Sequence, residues 1–127
     1  MGKNKKILIT EDEKSMLQAL GDTFKSENFD VFKAENGEKG LETAFKEHPD
    51  VILIDIVMPK MDGLTMLKKL REDDWGKSVP VIILTNLGDM EKMAEAVEDG
   101  ICNYLIKTDW SLEDIVKKVK KLIHPVK

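Results

Sequence analysis

Short apolar runs alternate with amphipathic stretches along this chain. Ile7-Leu8-Ile9 is rich in branched residues and reads as a strand, after which Leu17, Leu20 and Phe24 recur at helical spacing. Val31-Phe32 gives a weaker strand signal, of the kind expected at a sheet edge. Asn36-Gly37 then punctuates the chain, and Leu41, Ala44 and Phe45 mark a second helix. Val51-Ile52-Leu53-Ile54 is solidly apolar, as a strand covered on both faces must be. Leu64, Leu67 and Leu70 predict a third helix, and Pro80 precedes another buried strand, Val81-Ile82-Ile83-Leu84. Met90, Met93, Ala94 and Val97 predict a fourth helix, with Gly100 where a C-cap would stand. Tyr104-Leu105-Ile106 is the last strand. Ser111, with Asp114 three residues on, opens a final helix striped by Leu112, Ile115, Val116, Val119, Leu122 and Ile123. About five strand–helix alternations predict βαβ units, hence an α/β fold with a parallel sheet and helices on both faces.

Composition narrows the class. The 127 residues make one ordinary domain, spanning 1–127, and the chain ends so soon after the last helix that no effector domain is expected within it. A net charge of -4 argues against direct binding to nucleic acid or an anionic membrane. No apolar run approaches the roughly 20 residues of a membrane span. The basic start, Met1 to Lys6, leads into a short apolar run and then acidic residues, unlike a signal peptide. Cys102 is the single cysteine, so no internal disulfide can form, which suits a cytoplasmic location.

Candidate chemistry gathers at the strand ends. Ligands of open parallel sheets bind beyond the carboxyl ends of the strands. The predicted strands end in Thr10-Glu11-Asp12, Asp55, Thr85 and Lys107. If the central strands are neighbours, three carboxylates, a hydroxyl and an ammonium converge. Two carboxylates about 4 Å apart repel by roughly 4 kcal/mol at an effective dielectric of 20, so three together call for a cation or a proton. Oxygen ligands without imidazole or thiolate suit Mg²⁺ or Ca²⁺. A carboxylate can also attack phosphorus to give an acyl phosphate, provided the phosphoryl oxygens are positioned and neutralised. Glu11, Asp12 and Asp55 with a metal, Thr85 and Lys107 would supply both, so the cluster reads as a phosphoryl-accepting site.

The segment Val51-Ile-Leu-Ile-Asp55-Ile-Val-Met58-Pro59-Lys-Met-Asp62-Gly63 resembles the phosphoacceptor segment of receiver domains of two-component response regulators. Ile7-Leu-Ile-Thr-Glu11-Asp12-Glu13 is similar to their acidic pair. Val79-Pro80-Val-Ile-Ile-Leu-Thr85 and Tyr104-Leu-Ile-Lys107 are similar to their other signature strands. Each motif is weak alone, but the ordered set covers nearly the whole chain and is specific; the chain is similar to single-domain chemotaxis-type regulators. The resemblance implies a doubly wound, flavodoxin-like sheet of order 2-1-3-4-5. It implies that Asp55 is the phosphoacceptor, that Asp12 binds Mg²⁺ directly and Glu11 through water, and that the Val57 backbone carbonyl completes the protein's share of ligands. Thr85 would move toward the phosphoryl group, Lys107 would pair with it, and Tyr104 would switch rotamer with Thr85. The implied partners are a sensor histidine kinase or phosphotransfer protein and a downstream protein target, met on the face of the fourth helix, fifth strand and fifth helix. The protein would be a monomer or a phosphorylation-dependent dimer, and a signalling phosphoacceptor rather than an enzyme of steady turnover.

Some positions depart from the pattern. Thr108 replaces the usual proline after the lysine, and a cis bond there would cost about 3–4 kcal/mol, so a trans bond is expected. Asn86 replaces a small residue. Val57 and Leu87 stand where the family tunes phosphoryl lifetime; neither can orient a hydrolytic water, so slow autodephosphorylation is expected. These departures leave a degenerate, phosphorylation-independent binding module as the alternative. A phosphatase of the haloacid-dehalogenase type needs an aspartate where Val57 stands, and neither G-x-x-x-x-G-K-[ST] nor G-x-G-x-x-G is present. Plainer readings exist residue by residue: Asp12 or Asp62 as helix caps, Tyr104 as a packing residue, Met90 and Met93 as core filler, His48 and His124 as surface residues. Trp110 lies near the expected partner face, and Trp75 has no functional reading.

Overall fold

The computed structural model describes residues 4–56, 58, 60–85, 103–106 and 111–123. Five strands, β1 (Lys6–Thr10), β2 (Asp30–Ala34), β3 (Val51–Asp55), β4 (Val81–Thr85) and β5 (Asn103–Ile106), form one parallel sheet of order β2-β1-β3-β4-β5. The described helices are α1 (Lys14–Ser26), α2 (Gly37–Glu47), α3 (Gly63–Glu72) and α4 (Leu112–Ile123). The helix expected around Met90–Val97 lies outside the described residues.

The pleat of the sheet divides the core. Leu8, Ile52, Ile54, Val81 and Ile83 face α2 and α3, while Ile7, Ile9, Val51, Leu53, Ile82, Leu84 and Leu105 face α1 and α4. Successive strand residues point to opposite faces, so a strand covered on both sides is apolar throughout; β3 and β4 are buried at every position. β2 pairs on one side only, which explains its weak signal: Asp30 and Lys33 are exposed within it.

α1 buries Leu17, Leu20 and Phe24, and α3 buries Met66, Leu67 and Leu70. α2 forms where Leu41, Ala44 and Phe45 mark it, with Leu41 packed partly against the core. Its buried face is Gly37, Gly40 and Ala44, while Phe45 is 39% exposed and meets the Trp75 ring edge-on. Small residues face inward because α2 sits close on β1 and on the loop after β3. Asn36 caps α2, accepting from the Lys39 N–H at 2.9 Å, and His48 ends it in a left-handed conformation, stacked on Trp75 at 4.3 Å. α4 opens with the expected box: the Asp114 N–H donates to Ser111 Oγ at 3.2 Å, and the Ser111 N–H to Asp114 Oδ2 at 3.1 Å. Ile115, Val116 and Val119 are its buried stripe, and Lys120 pairs with Glu27 at the end of α1.

Candidate functional site

Register brings the strand ends together. Thr10 pairs with Ile54 across β1 and β3, so Glu11 follows level with Asp55. Asp55 pairs with Leu84, and the Ile56 N–H donates to Leu84 O at 3.2 Å, which sets Thr85 beside the same edge. Thr85 pairs in turn with Ile106, the residue before Lys107. The acidic cluster is realised: carboxylate oxygens of Glu11, Asp12 and Asp55 lie within 4.8 Å of one another. Glu11 and Thr85 are fully buried, Asp55 is 5% exposed, and Asp12 faces solvent. Lys107 and Val57, expected as phosphoryl partner and carbonyl ligand, lie outside the described residues, as do Asn86, Leu87 and Thr108.

Local structure fixes these groups. The Glu11 N–H donates to Ala34 O at 3.0 Å, and Glu11 Oε2 accepts from the Glu13 N–H at 3.1 Å, so this carboxylate is aimed by the turn into α1. The N-cap position of α1 is Glu13, without a side-chain cap bond, so Asp12 is not the helix cap that a plainer reading would make it. Asp62 is a cap: its Oδ1 accepts from the Thr65 N–H at 2.8 Å. The Gly63 N–H reaches back to Ile56 O at 2.9 Å and ties α3 to the end of β3. A Cβ at Gly63 would stand 2.9 Å from Ile56 Cα and against the Asp55 carbonyl oxygen, so only glycine lets α3 start there. Tyr104 is 37% exposed on β5, open enough for a ring to turn.

The donor set fits a hard divalent cation. It is all oxygen, it carries three formal negative charges on two buried and one exposed carboxylate, and one exposed ligand leaves a side open to solvent. An open cleft of about 440 Å³ between the start of α1 and the end of β2 is lined by Lys14, Lys33 and Lys39 together with Glu35, Gln18, Leu17 and Ala34; none of the three carboxylates of the cluster lines it.

A doubly wound parallel sheet with buried carboxylates and a threonine at its carboxyl edge is the arrangement that the resemblance to receiver domains implies. The chain belongs to the response regulator receiver domain family, whose model matches residues 7–120. It is 34% identical over 120 residues to sporulation initiation phosphotransferase F of Bacillus subtilis, covering 94% of each chain. It is 34% identical over 117 residues to the transcriptional regulatory protein SrrA of Staphylococcus aureus; the match takes 92% of this chain but only 47% of that one, so the chain spans about half of such longer relatives. The receiver domain of the Francisella response regulator 1452 superposes with a TM-score of 0.84 at 32% identity, covering 98% of this chain and all of that one. The chain is therefore a receiver domain of two-component signalling with the family's acidic site in place. No helix among the described residues is long and apolar enough to cross a membrane.

Proposed function

We propose that Asp55 accepts a phosphoryl group from a histidine kinase or phosphotransfer protein, and that residues 1–127 act as one receiver domain. The observation that carries this reading is the gathering of Glu11, Asp12 and Asp55 within 4.8 Å, beside the buried Thr85. Similarity to a protein named as a phosphotransferase along 94% of both chains supports it. An Asp55 carboxylate oxygen attacks phosphorus; the bond from phosphorus to the donor's nitrogen or oxygen breaks, and the donor leaves with that electron pair. Burial holds Asp55 in one orientation and limits the water that competes for the phosphoryl group. Thr85 donates its hydroxyl to a phosphoryl oxygen, and Lys107 neutralises another. Asp12, Asp55 and the Val57 carbonyl would hold Mg²⁺ directly, with Glu11 acting through water; bound there, the ion offsets charge on the phosphoryl oxygens.

Inward movement of Thr85 makes room for Tyr104, and this biases the β5 face for a downstream protein target. The site of action is the cytoplasm, residues 1–127 bind no nucleic acid directly, and they act as a monomer or a phosphorylation-dependent dimer. With Val57 and Leu87 both apolar, the acyl phosphate is long-lived. Leu87→Glu is expected to shorten its lifetime, measured by phosphate release; unchanged lifetimes in both Leu87→Glu and Val57→Asn would refute this point.

The test of the main reading is intact mass after incubation with acetyl phosphate and Mg²⁺. One phosphoryl group on the wild type, lost with EDTA and absent from Asp55→Asn, is expected. No adduct, together with no binding of beryllofluoride, would make the domain a phosphorylation-independent binding module.

A further inference from the structure

We infer that Gly37, in the first turn of α2, is a positioning residue that sets where the β3–α3 loop stands relative to the carboxylates of β1; this rests on the function proposed above. The loop runs from Ile56 to Asp62, directly after Asp55, and includes Val57. One of its described residues is held in an unfavourable form. Lys60 has φ 66°, a left-handed conformation that costs a non-glycine residue about 1 kcal/mol or more and persists only where the surroundings impose it. Two restraints come from the loop's own end, the Gly63-to-Ile56 hydrogen bond and the Asp62 cap. The third comes from a different element.

A Cβ at Gly37 would lie 2.8 Å from Met61 Cβ and 2.9 Å from its carbonyl carbon, and closer still to the carbonyl oxygen. Two of these three atoms are Met61 backbone and the third is its Cβ, which is fixed to that backbone, so the contact can yield only if the loop moves. Gly21 shows the contrast: a Cβ there meets the far end of the Lys33 side chain, which can swing away. α2 cannot retreat easily either. Gly40, one turn on, sits so close to β1 that a Cβ would be 2.9 Å from Thr10 Oγ1 and 3.0 Å from Met66 Cε, and Thr10 immediately precedes Glu11. The start of α2 is thus wedged between the end of β1 and the loop after β3, the two segments that must together hold one ion. Mg²⁺ tolerates little departure from octahedral geometry, so a displaced loop loses affinity even when the fold survives.

The test is Mg²⁺ titration by calorimetry on the full chain, for wild type, Gly37→Ala and Gly76→Ala, at a temperature where circular dichroism shows each folded. Gly76→Ala is the control: Gly76 lies in the loop between α3 and β4, away from the site, and its Cβ would strike the Leu70 carbonyl in the last turn of α3. Gly37→Ala is expected to weaken Mg²⁺ binding about tenfold, the scale of losses from outer-shell changes at metal sites. Its phosphorylation by acetyl phosphate should need more Mg²⁺ yet approach the wild-type rate at saturation. Gly76→Ala should lose stability and keep the wild-type Mg²⁺ constant. If Gly37→Ala does not fold, Met61→Gly removes the Cβ that packs on Gly37 and loosens the loop backbone there, and should weaken Mg²⁺ likewise. Wild-type affinity in a folded Gly37→Ala or Met61→Gly overturns the inference, as does equal weakening in Gly76→Ala. A wild type that takes neither Mg²⁺ nor a phosphoryl group would overturn the proposed function as well, so the two failures are distinguishable.

Discussion

At the scale of single residues, polar groups at the carboxyl edge serve the site at some expense to stability. Asp12 stands within 4.8 Å of two other carboxylates. Because it is exposed, the repulsion it adds is of the order found in water, about 1 kcal/mol per close pair. Asp12→Asn is therefore expected to raise the stability of the metal-free protein by about 1–2 kcal/mol and to abolish its stabilisation by Mg²⁺, both read from urea denaturation with and without the ion. Thr10 illustrates a second kind of expense. Its hydroxyl is fully buried beneath α2 with no hydrogen-bond partner among the described residues. An unsatisfied buried hydroxyl costs about 1–3 kcal/mol, so Thr10→Val should stabilise the fold by about 1 kcal/mol. Denaturant midpoints check this, and a loss of stability would mean that the hydroxyl is bonded in solution.

At the scale of elements, the caps carry most of what can be tested. Asn36 holds the first turn of α2, which also braces the loop after β3. Asn36→Ala should cost about 1 kcal/mol of stability, measured by thermal or urea unfolding. In α4, hydrogen bonds from the Ser111 backbone N–H and then its hydroxyl hold the Asp114 carboxyl below the usual carboxylate range, against desolvation and with a lesser contribution from Lys117. A folded-state value below the unfolded one stabilises α4 fully above the unfolded carboxylate range, and this is lost as pH falls through the folded value. The stability difference between wild type and Asp114→Asn should accordingly be present at neutral pH and vanish in acid, followed by circular dichroism.

At the scale of the whole molecule, metal binding and folding are linked. An ion that binds only the folded chain stabilises it by about 2.7 kcal/mol at one hundred times its dissociation constant. Calorimetric unfolding should show a rise in Tm with Mg²⁺ in the wild type and none in Asp12→Asn.

Much of this was legible in the sequence, and the limits have physical causes. β3 and β4 were plain because a central parallel strand is apolar on both faces, whereas β2 was faint because an edge strand exposes Asp30 and Lys33. Ser111 and Asp114 announced α4 because a cap is local chemistry three residues apart. Leu41, Ala44 and Phe45 marked α2, but they did not tell that Gly37 and Gly40 share its buried face while Phe45 stays exposed: close approach to Thr10 and Met61 selects glycine there, a preference set by neighbours distant in the chain. The sequence by itself determined the alternation of strands and helices, the side chains at the strand ends and the family pattern they compose, because these follow from local periodicity and residue chemistry. Only the tertiary structure decided that Glu11, Asp12 and Asp55 share one 4.8 Å cluster, that Asp12 is left exposed while Glu11 is buried, and that α2 braces the loop after β3. Strand order, register and close packing arise from contacts between segments far apart in the chain, and no local pattern carries their distances.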